Sequence, residues 1–256
     1  QGPLATMAEV YEGVRQLIVR LLRHFNAIKT PFTLRIQSSI PQERGMGSSA
    51  ASAIAIVRAF FAFFETELSD AELQRWANIE EAITHGSPSG IDAATTAHDV
   101  PVWFVKGEKP EPMSMALHGT LIIADTGVHG QTGLAVSVVR EQLDNEPEAT
   151  RPHIDALGQI ARETREDLAN DDIQSLGRHM NDAQSHLSAL GVSHPKLDEL
   201  INAANQAGAL GAKLTGGGVG GAMLALAQSD EDVQRIIQAL EAAGAQEVWA
   251  QRYPQM

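Results

Sequence analysis

Pro41-Gln42-Glu43-Arg44-Gly45-Met46-Gly47-Ser48-Ser49-Ala50-Ala51 stands between two runs of different periodicity. Upstream, Phe32, Leu34 and Ile36 alternate with Thr33, Arg35 and Gln37, a period of two that reads as a strand over residues 32–38. Downstream, an Ala-, Ile-, Val- and Phe-rich run reaches Phe64 and is long enough for a helix. The chain therefore passes through two glycines and two serines into a helix N-terminus. First-turn N–H groups point outward there, the helix dipole favours an anion, and small residues let a phosphate come close. The two hydroxyls add donors or a metal ligand. A Ser-capped helix after a tight turn is the plainer reading of the same residues.

Glu81-Ala82-Ile83-Thr84-His85-Gly86-Ser87-Pro88-Ser89-Gly90-Ile91-Asp92 is the second informative stretch. Ser69-Asp70-Ala71-Glu72 reads as a capping box, and Leu73, Trp76, Ala77, Glu80/Glu81 and Thr84 follow at helical spacing. Glu81 thus falls in the last turn of a helix that Gly86 and Pro88 end. An acid there opposes the helix dipole and calls for a compensating partner. A magnesium ion is one; solvent, Arg75 or Lys106 are others. Asp92 follows a glycine-containing loop, either as a reactive carboxylate or as a turn residue capping Ala93-Ala94-Thr95.

Lys213-Leu214-Thr215-Gly216-Gly217-Gly218-Val219-Gly220-Gly221-Ala222-Met223 is the third. A hairpin needs two glycines at most. Five in six positions suggest close backbone approach to a ligand. No Gly-x-x-x-x-Gly-Lys-Ser/Thr segment occurs, so a Walker-type loop is excluded. Gly45-x-Gly47 lacks the third glycine of a dinucleotide fold.

Together the three stretches resemble the motifs of the GHMP small-molecule kinases, and among these most resemble the mevalonate kinase group. Gly45-Met46-Gly47-Ser48-Ser49-Ala50 matches the shared phosphate-binding motif. His85-Gly86-Ser87-Pro88-Ser89-Gly90-Ile91-Asp92 is similar to the mevalonate kinase form of the middle region, where an Asn more often replaces Ser87. Asp125-Thr126-Gly127-Val128-His129-Gly130-Gln131-Thr132 resembles a segment following a strand of the second domain. The resemblance implies ATP and Mg2+ as cofactors and mevalonate, an isoprenoid precursor, as the alcohol phosphorylated at its 5-position. It implies Ser49 and Glu81 as magnesium ligands and Asp92 as the residue acting on the substrate hydroxyl. Gly45, Met46, Gly47, Ser48 and Ser49 would hold the nucleotide phosphates, Gly216, Gly217 and Gly218 would close on them from the other domain, and Thr132 would lie near the substrate. These parts are what phosphoryl transfer requires: an anion cradle, metal ligands and a carboxylate at the attacking oxygen.

The resemblance also implies an N-terminal strand carrying a lysine, then a Gly-Glu-His segment, ahead of anything matching residue 1. None of Lys29, Lys106, Lys109, Lys196 and Lys213 stands in an equivalent context. The chain therefore reads as an N-terminally truncated member, which puts its unaided activity in doubt. Val219 replaces a usual glycine and narrows the loop's backbone choices. A phosphomevalonate kinase or another GHMP kinase is the alternative enzyme. A doubly charged substrate would call for a basic cluster near the motifs, and the sequence shows none. A catalytically inactive nucleotide- or metabolite-binding protein is the alternative of another class.

The composition agrees with this reading. The 256 residues carry a net charge of −13, which argues against nucleic acid as a partner. An anionic nucleotide must then be held locally, by helix termini and a divalent cation. Zero cysteines remove disulfides and thiolate sites and fit a reducing, cytoplasmic setting. The most apolar run, residues 54–64, is interrupted by Arg58 and too short to cross a bilayer. The histidines lack metal-ligand spacing.

The expected organisation is α+β in two parts: residues 1–112, ribosomal S5 domain 2-like by resemblance, and residues 113–256, ferredoxin-like by resemblance. The first part reads as helices over residues 7–24, 49–64 and 70–84, a segment at 91–97 and a strand at 102–105. Residues 106–112 are a polar, proline-containing linker. The second reads as a strand at 120–124, three helices between Thr132 and Ala207, two strands flanking the glycine loop, a helix at 231–243 and a strand at 247–251. Val10, Val14, Leu17, Leu21 and Phe25 form a stripe fit for either a core or a homodimer face.

Overall fold

Four helices whose apolar stripes converge build the first of two units, which comprises Gln1–Gln42 and Gly47–Pro112. A computed structural model describes residues 4, 11–38, 40, 45–85 and 89–253. Helices α1 (Glu12–His24), α2 (Ser48–Phe63), α3 (Asp70–His85) and α4 (Ile91–Ala97) lie within a residue of the expected spans, except that the start expected for the first, at residues 7–10, lies outside the described residues. Val14, Leu17 and Leu21 of α1 enter a core with Ala53, Ile54, Val57 and Phe61 of α2 and Leu73 and Ala77 of α3. The α1 stripe is thus interior to its own unit and is not available as a dimer face; Val10 lies outside the described residues. Phe25 stacks on Phe64 at 4.4 Å and meets Phe61 edge-on.

Two expectations for this unit fail. Residues 32–38 form no strand. Their alternation is suitable, but a strand exists through its ladder, and no described residue pairs with them; Phe32 and Ile36 are exposed. The strand at 102–105 shrinks to β1 (Val102–Trp103), which pairs antiparallel with β2 (Glu111–Pro112). Most of the presumed linker is therefore the turn of a short hairpin, with Gly107 at φ +92°.

The second unit, Glu43–Met46 with Met113–Met256, is built on β3 (Gly119–Asp125), β4 (Gly211–Leu214), β5 (Ala222–Ala227) and β6 (Glu247–Tyr253). They form an antiparallel sheet in the order β4-β5-β3-β6. Four helices, not three, lie between Thr132 and Ala207: α5 (Thr132–Asn145), α6 (Pro147–Asn170), α7 (Ile173–Ala189) and α8 (Pro195–Gln206). Only Glu146 separates α5 from α6, where Pro147 takes the first-turn position in which its missing N–H is harmless. Helix α9 (Asp230–Ala242) is opened by a capping box between Ser229 and Asp232.

Period-two alternation divides this unit's core. Ile122, Ala124, Ala212, Leu214, Met223 and Ala225 face Leu197, Leu200 and Ile236 of α8 and α9. On the other face Leu121, Leu224 and Leu226 meet Ile173, Leu176 and Met180 of α7. Helix α7 approaches β4 so closely that a Cβ on Gly211 would lie 1.9 Å from the Gly177 carbonyl oxygen. Among the described residues no helix is long and apolar enough to cross a membrane.

Candidate active site

The N-terminus of α2 is set by Gly47, the helix cap, at φ +67° and with no side-chain cap bond. A side chain would be strained at that φ. Serine capping is thus not what the serines do. Ser48 and Ser49 lie within the first turn, whose N–H groups receive no acceptor from the cap residue. Ser49 Oγ donates instead to Glu80 Oε1 at 2.7 Å. Glu80 is buried at 3 % exposure. It follows Leu73 and Ala77 on the interior stripe of α3, which is the sequence signal that marks it.

Glu81, the carboxylate expected as a metal ligand, has a different environment. It is 8 % exposed, so it is not a solvated helix-end acid, and it does not pair with Arg75 or Lys106. Its Oε1 accepts from Ser89 N–H at 2.7 Å, Ser89 Oγ–H at 3.1 Å and Gly90 N–H at 3.1 Å. The unfavourable placement of two acids at the end of α3 is thereby resolved. Glu80 sits at the N-terminal turn of α2 and Glu81 at that of α4, where dipoles and N–H groups favour negative charge.

Asp92 lies exposed in the first turn of α4, after Gly90, the helix cap at φ +81°. A Cβ on Gly90 would be 3.5 Å from the ring of Phe104. Gln74 Nε2 donates to the Gly90 carbonyl at 3.3 Å. At the far end Arg58 Nη2 donates to Ala97 O at 3.2 Å, and the His98 ring donates to Ala94 O at 2.7 Å. Arg58, which only interrupts an apolar run in the sequence, thus closes the C-terminal end of α4. Ser49, Glu80, Glu81 and Asp92 are gathered on three packed helices of one unit. Residues 41–44 and 86–88, including Ser87, lie outside the described residues.

In the second unit two sequence motifs come together. Beyond β3, Asp125 Oδ1 accepts from Gly127 N–H at 2.8 Å, turning the chain. Thr126 N–H donates to Gly221 O at 3.0 Å, and Gly221 N–H to Val128 O at 2.8 Å. Thr132, exposed, begins α5. The glycines have intramolecular reasons that the sequence does not reveal. A Cβ would lie 2.8 Å from Gly45 Cα at Gly216, 2.6 Å from Thr132 Oγ1 at Gly217, 2.1 Å from Val192 O at Gly218 and 2.6 Å from His129 O at Gly220. Gly45 and Met46 belong with this unit. The excess of glycine is thus accounted for mostly by the protein's own backbone. Val219 adopts φ +55°, a left-handed conformation costly for a β-branched residue. Its N–H donates to Val192 O at 2.8 Å. Lys213 Nζ donates to Leu214 O at 2.6 Å, and burial lowers its pKa to about 8.

The oxygen donors at Ser49 and Glu80 suit a hard cation. Magnesium accompanying a nucleotide needs only one or two protein oxygens beside phosphate. Among the described residues no group of three or more His, Asp or Glu side chains is arranged around a metal position.

Residues 12–99 match the model of the GHMP kinase N-terminal domain and residues 164–246 that of the GHMP kinase C-terminal region. The mevalonate kinase of Aeropyrum pernix is 35% identical over 247 residues, covering 96% of this chain and 76% of that protein. That of Pyrococcus furiosus is 35% identical over 93% of this chain and 71% of its own length. Among solved structures, mevalonate kinase from methicillin-resistant Staphylococcus aureus aligns with a TM-score of 0.72 at 34% identity, over 93% of this chain and 77% of that one. L. major mevalonate kinase in complex with R-mevalonate shares the fold at a TM-score of 0.79 and 24% identity, over 98% of this chain and 81% of that one. With both domain models matched and identity above one third across nearly the whole sequence, the chain belongs to the GHMP kinase family.

Proposed function

We propose that the protein phosphorylates mevalonate on its primary 5-hydroxyl with ATP and magnesium, in the cytoplasm. The observation carrying this reading is the grouping of Ser49, Glu80, Glu81 and Asp92 on α2, α3 and α4, in a chain 35% identical to a mevalonate kinase over 96% of its length. The N–H groups from Gly45 to Ser49 hold phosphate oxygens by charge-assisted hydrogen bonds. Ser49 and Glu81, the residues that family resemblance assigns, hold magnesium, with Glu80 bonded to Ser49 beside them. When bound, the cation neutralises charge on the phosphate oxygens. Asp92 orients the substrate hydroxyl and accepts its proton. Gly216, Gly217 and Gly218 contact the nucleotide through backbone, and Thr132 contacts the substrate.

The test is ADP release in a coupled assay with mevalonate, homoserine and phosphomevalonate offered separately. Magnesium-dependent turnover favouring mevalonate is expected. Turnover of either other alcohol in its place would reject the substrate assignment, and nucleotide binding without turnover would favour a binding protein.

A further inference from the structure

We infer that Gln184 is a positioning residue: from α7 it braces the glycine loop, Thr215 to Gly221, at its entry and at Val219, and so fixes the backbone that meets the nucleotide. The inference deepens the kinase reading and rests on it for the role of the loop. It starts from the edge of a sheet. Strand β4 stands at one end of the four, and among the described residues it pairs with β5 alone. Backbone alternation turns the N–H groups of Ala212 and Leu214 away from β5, and both residues are buried. A buried N–H without an acceptor is costly. Helix α7 supplies the acceptors that a further strand would have given. Asn181 Oδ1 accepts from Ala212 N–H at 3.0 Å, and Gln184 Oε1 accepts from Leu214 N–H at 2.9 Å. Three residues apart, the two side chains lie on one face of α7.

The two amides have different surroundings. Asn181 bonds at the start of β4: its Nδ2 donates to Leu210 O at 3.3 Å, and its Oδ1 also accepts from Asn205 Nδ2 at 3.2 Å. Gln184 stands at the other end, where β4 runs into the loop. It is 8 % exposed, and its Nε2 donates to Ser188 Oγ and Ser193 Oγ, both at 3.2 Å. Leu214 N–H can only donate, which fixes the way this amide points. Ser193 Oγ donates onward at 2.6 Å to Asp198 Oδ1, in the first turn of α8. Ser193 follows Val192, whose carbonyl accepts the Val219 N–H at 2.8 Å. A ring thus closes from Gln184 to Leu214, along the loop to Val219, across to Val192 and through Ser193 back to Gln184. One buried side chain sets the distance between two anchor points of the loop. Five glycines give the loop little side-chain packing of its own, and Val219 is held at φ +55°, so its shape depends on such anchors. The far end is held separately, by Thr126 and Val128 at Gly221.

The experiment compares Gln184→Met, Ser193→Ala and Asn181→Leu in the full chain with three readouts. Amide hydrogen exchange at Ala212, Leu214 and Val219 is followed by NMR without nucleotide. Urea midpoints report stability, and a ribose-tagged fluorescent ADP with magnesium reports nucleotide Kd. Gln184→Met keeps the volume and removes the hydrogen bonds. It is expected to speed exchange at Leu214 and Val219 by on the order of tenfold or more and to raise Kd several-fold. Ser193→Ala cuts only the return limb of the ring, so exchange should quicken at Val219 but not at Leu214, with a smaller rise in Kd. Asn181→Leu frees an N–H of the same kind at Ala212, away from the loop. It should lower the urea midpoint about as much as Gln184→Met and leave Kd unchanged.

Unchanged Leu214 exchange or unchanged Kd in Gln184→Met overturns the inference. So does a Kd raised equally in Asn181→Leu, which would make the effect one of general loosening. Should Gln184→Met fail to fold, Ser193→Ala decides: unchanged Val219 exchange or unchanged Kd there overturns the inference, and a rise in both upholds it. Tagged ADP that fails to bind the unaltered chain would count against the kinase reading, and the exchange pattern would then decide the brace by itself.

Discussion

Replacing Gly218 by alanine places a methyl group where the Val192 carbonyl oxygen already lies. The added carbon would sit 2.1 Å from that oxygen, roughly 1 Å inside ordinary contact. Because φ is +82°, the new residue must also hold a left-handed conformation, at about 1–2 kcal/mol. Relief requires moving the carbonyl, which accepts the Val219 N–H at 2.8 Å. Losing that bond costs about 0.5–1.5 kcal/mol, and residual overpacking about 1–3 kcal/mol. The total is on the order of 3–6 kcal/mol. Gly244→Ala is the control. Its φ is +80°, but the nearest obstacle is the flexible Lys196 ammonium at 3.2 Å, so about 1–2 kcal/mol is expected from conformation alone. Both would be made with Trp76→Phe and Trp103→Phe, leaving Trp249 on β6 as the sole reporter of the second unit. With a urea slope of about 2–3 kcal/mol/M, the Gly218 variant should unfold about 1–2 M below the Gly244 variant. Coincident midpoints would refute the claim that this glycine exists for the approach of Val192.

Asp92→Asn keeps the shape but not the proton acceptor; kcat should fall by roughly two to four decades with nucleotide affinity little changed, and retained turnover would demote Asp92 to a loop-capping role. Ser49→Ala removes one hard oxygen, so the magnesium concentration for half-maximal rate should rise; an unchanged magnesium curve would remove Ser49 from the ligand set. The pKa of Lys213 is lowered by burial from 10.5 to about 8. Between those values the unfolded chain holds more protons than the folded one, so stability rises with pH across that window, and below pH 8 the buried ammonium is a net cost. Lys213→Met should therefore raise the melting temperature at pH 7 and lose that advantage toward pH 10.5, despite forfeiting the bond to Leu214 O. A gain independent of pH would show that packing, not charge, is responsible.

The helices of the first unit and α9 were legible because their apolar spacing and end signals agreed, with Ser69 before α3 and Gly244 after α9, whereas the break that lets Pro147 open α6 was missed and four helices stand where three were expected. The strands from β3 to β6 were likewise readable, β3 by its alternation and β4 and β5 as short runs on either side of the glycine loop. Residues 32–38 carry the same alternation and form no strand, because periodicity reports what a segment could bury and not whether a ladder partner lies beside it. The site was legible as three segments, but not in its internal bonding. Glu80 and Glu81 are indistinguishable as letters; a 100° turn of α3 sends one to Ser49 and the other to Ser89 and Gly90. Nor could the sequence tell a glycine needed for a ligand from one needed for Val192, Thr132 or His129. That distinction depends on contacts between residues far apart in the chain.

Phosphorus-31 NMR of the purified chain with ATP, magnesium and mevalonate reads the central claim most directly, because it identifies the bond formed. The account predicts loss of the γ-phosphate signal, growth of ADP, and a new phosphomonoester resonance split into a triplet by the two protons of the C5 methylene. A γ-phosphate appearing only as inorganic phosphate, or an ATP spectrum unchanged by mevalonate and magnesium, would contradict it.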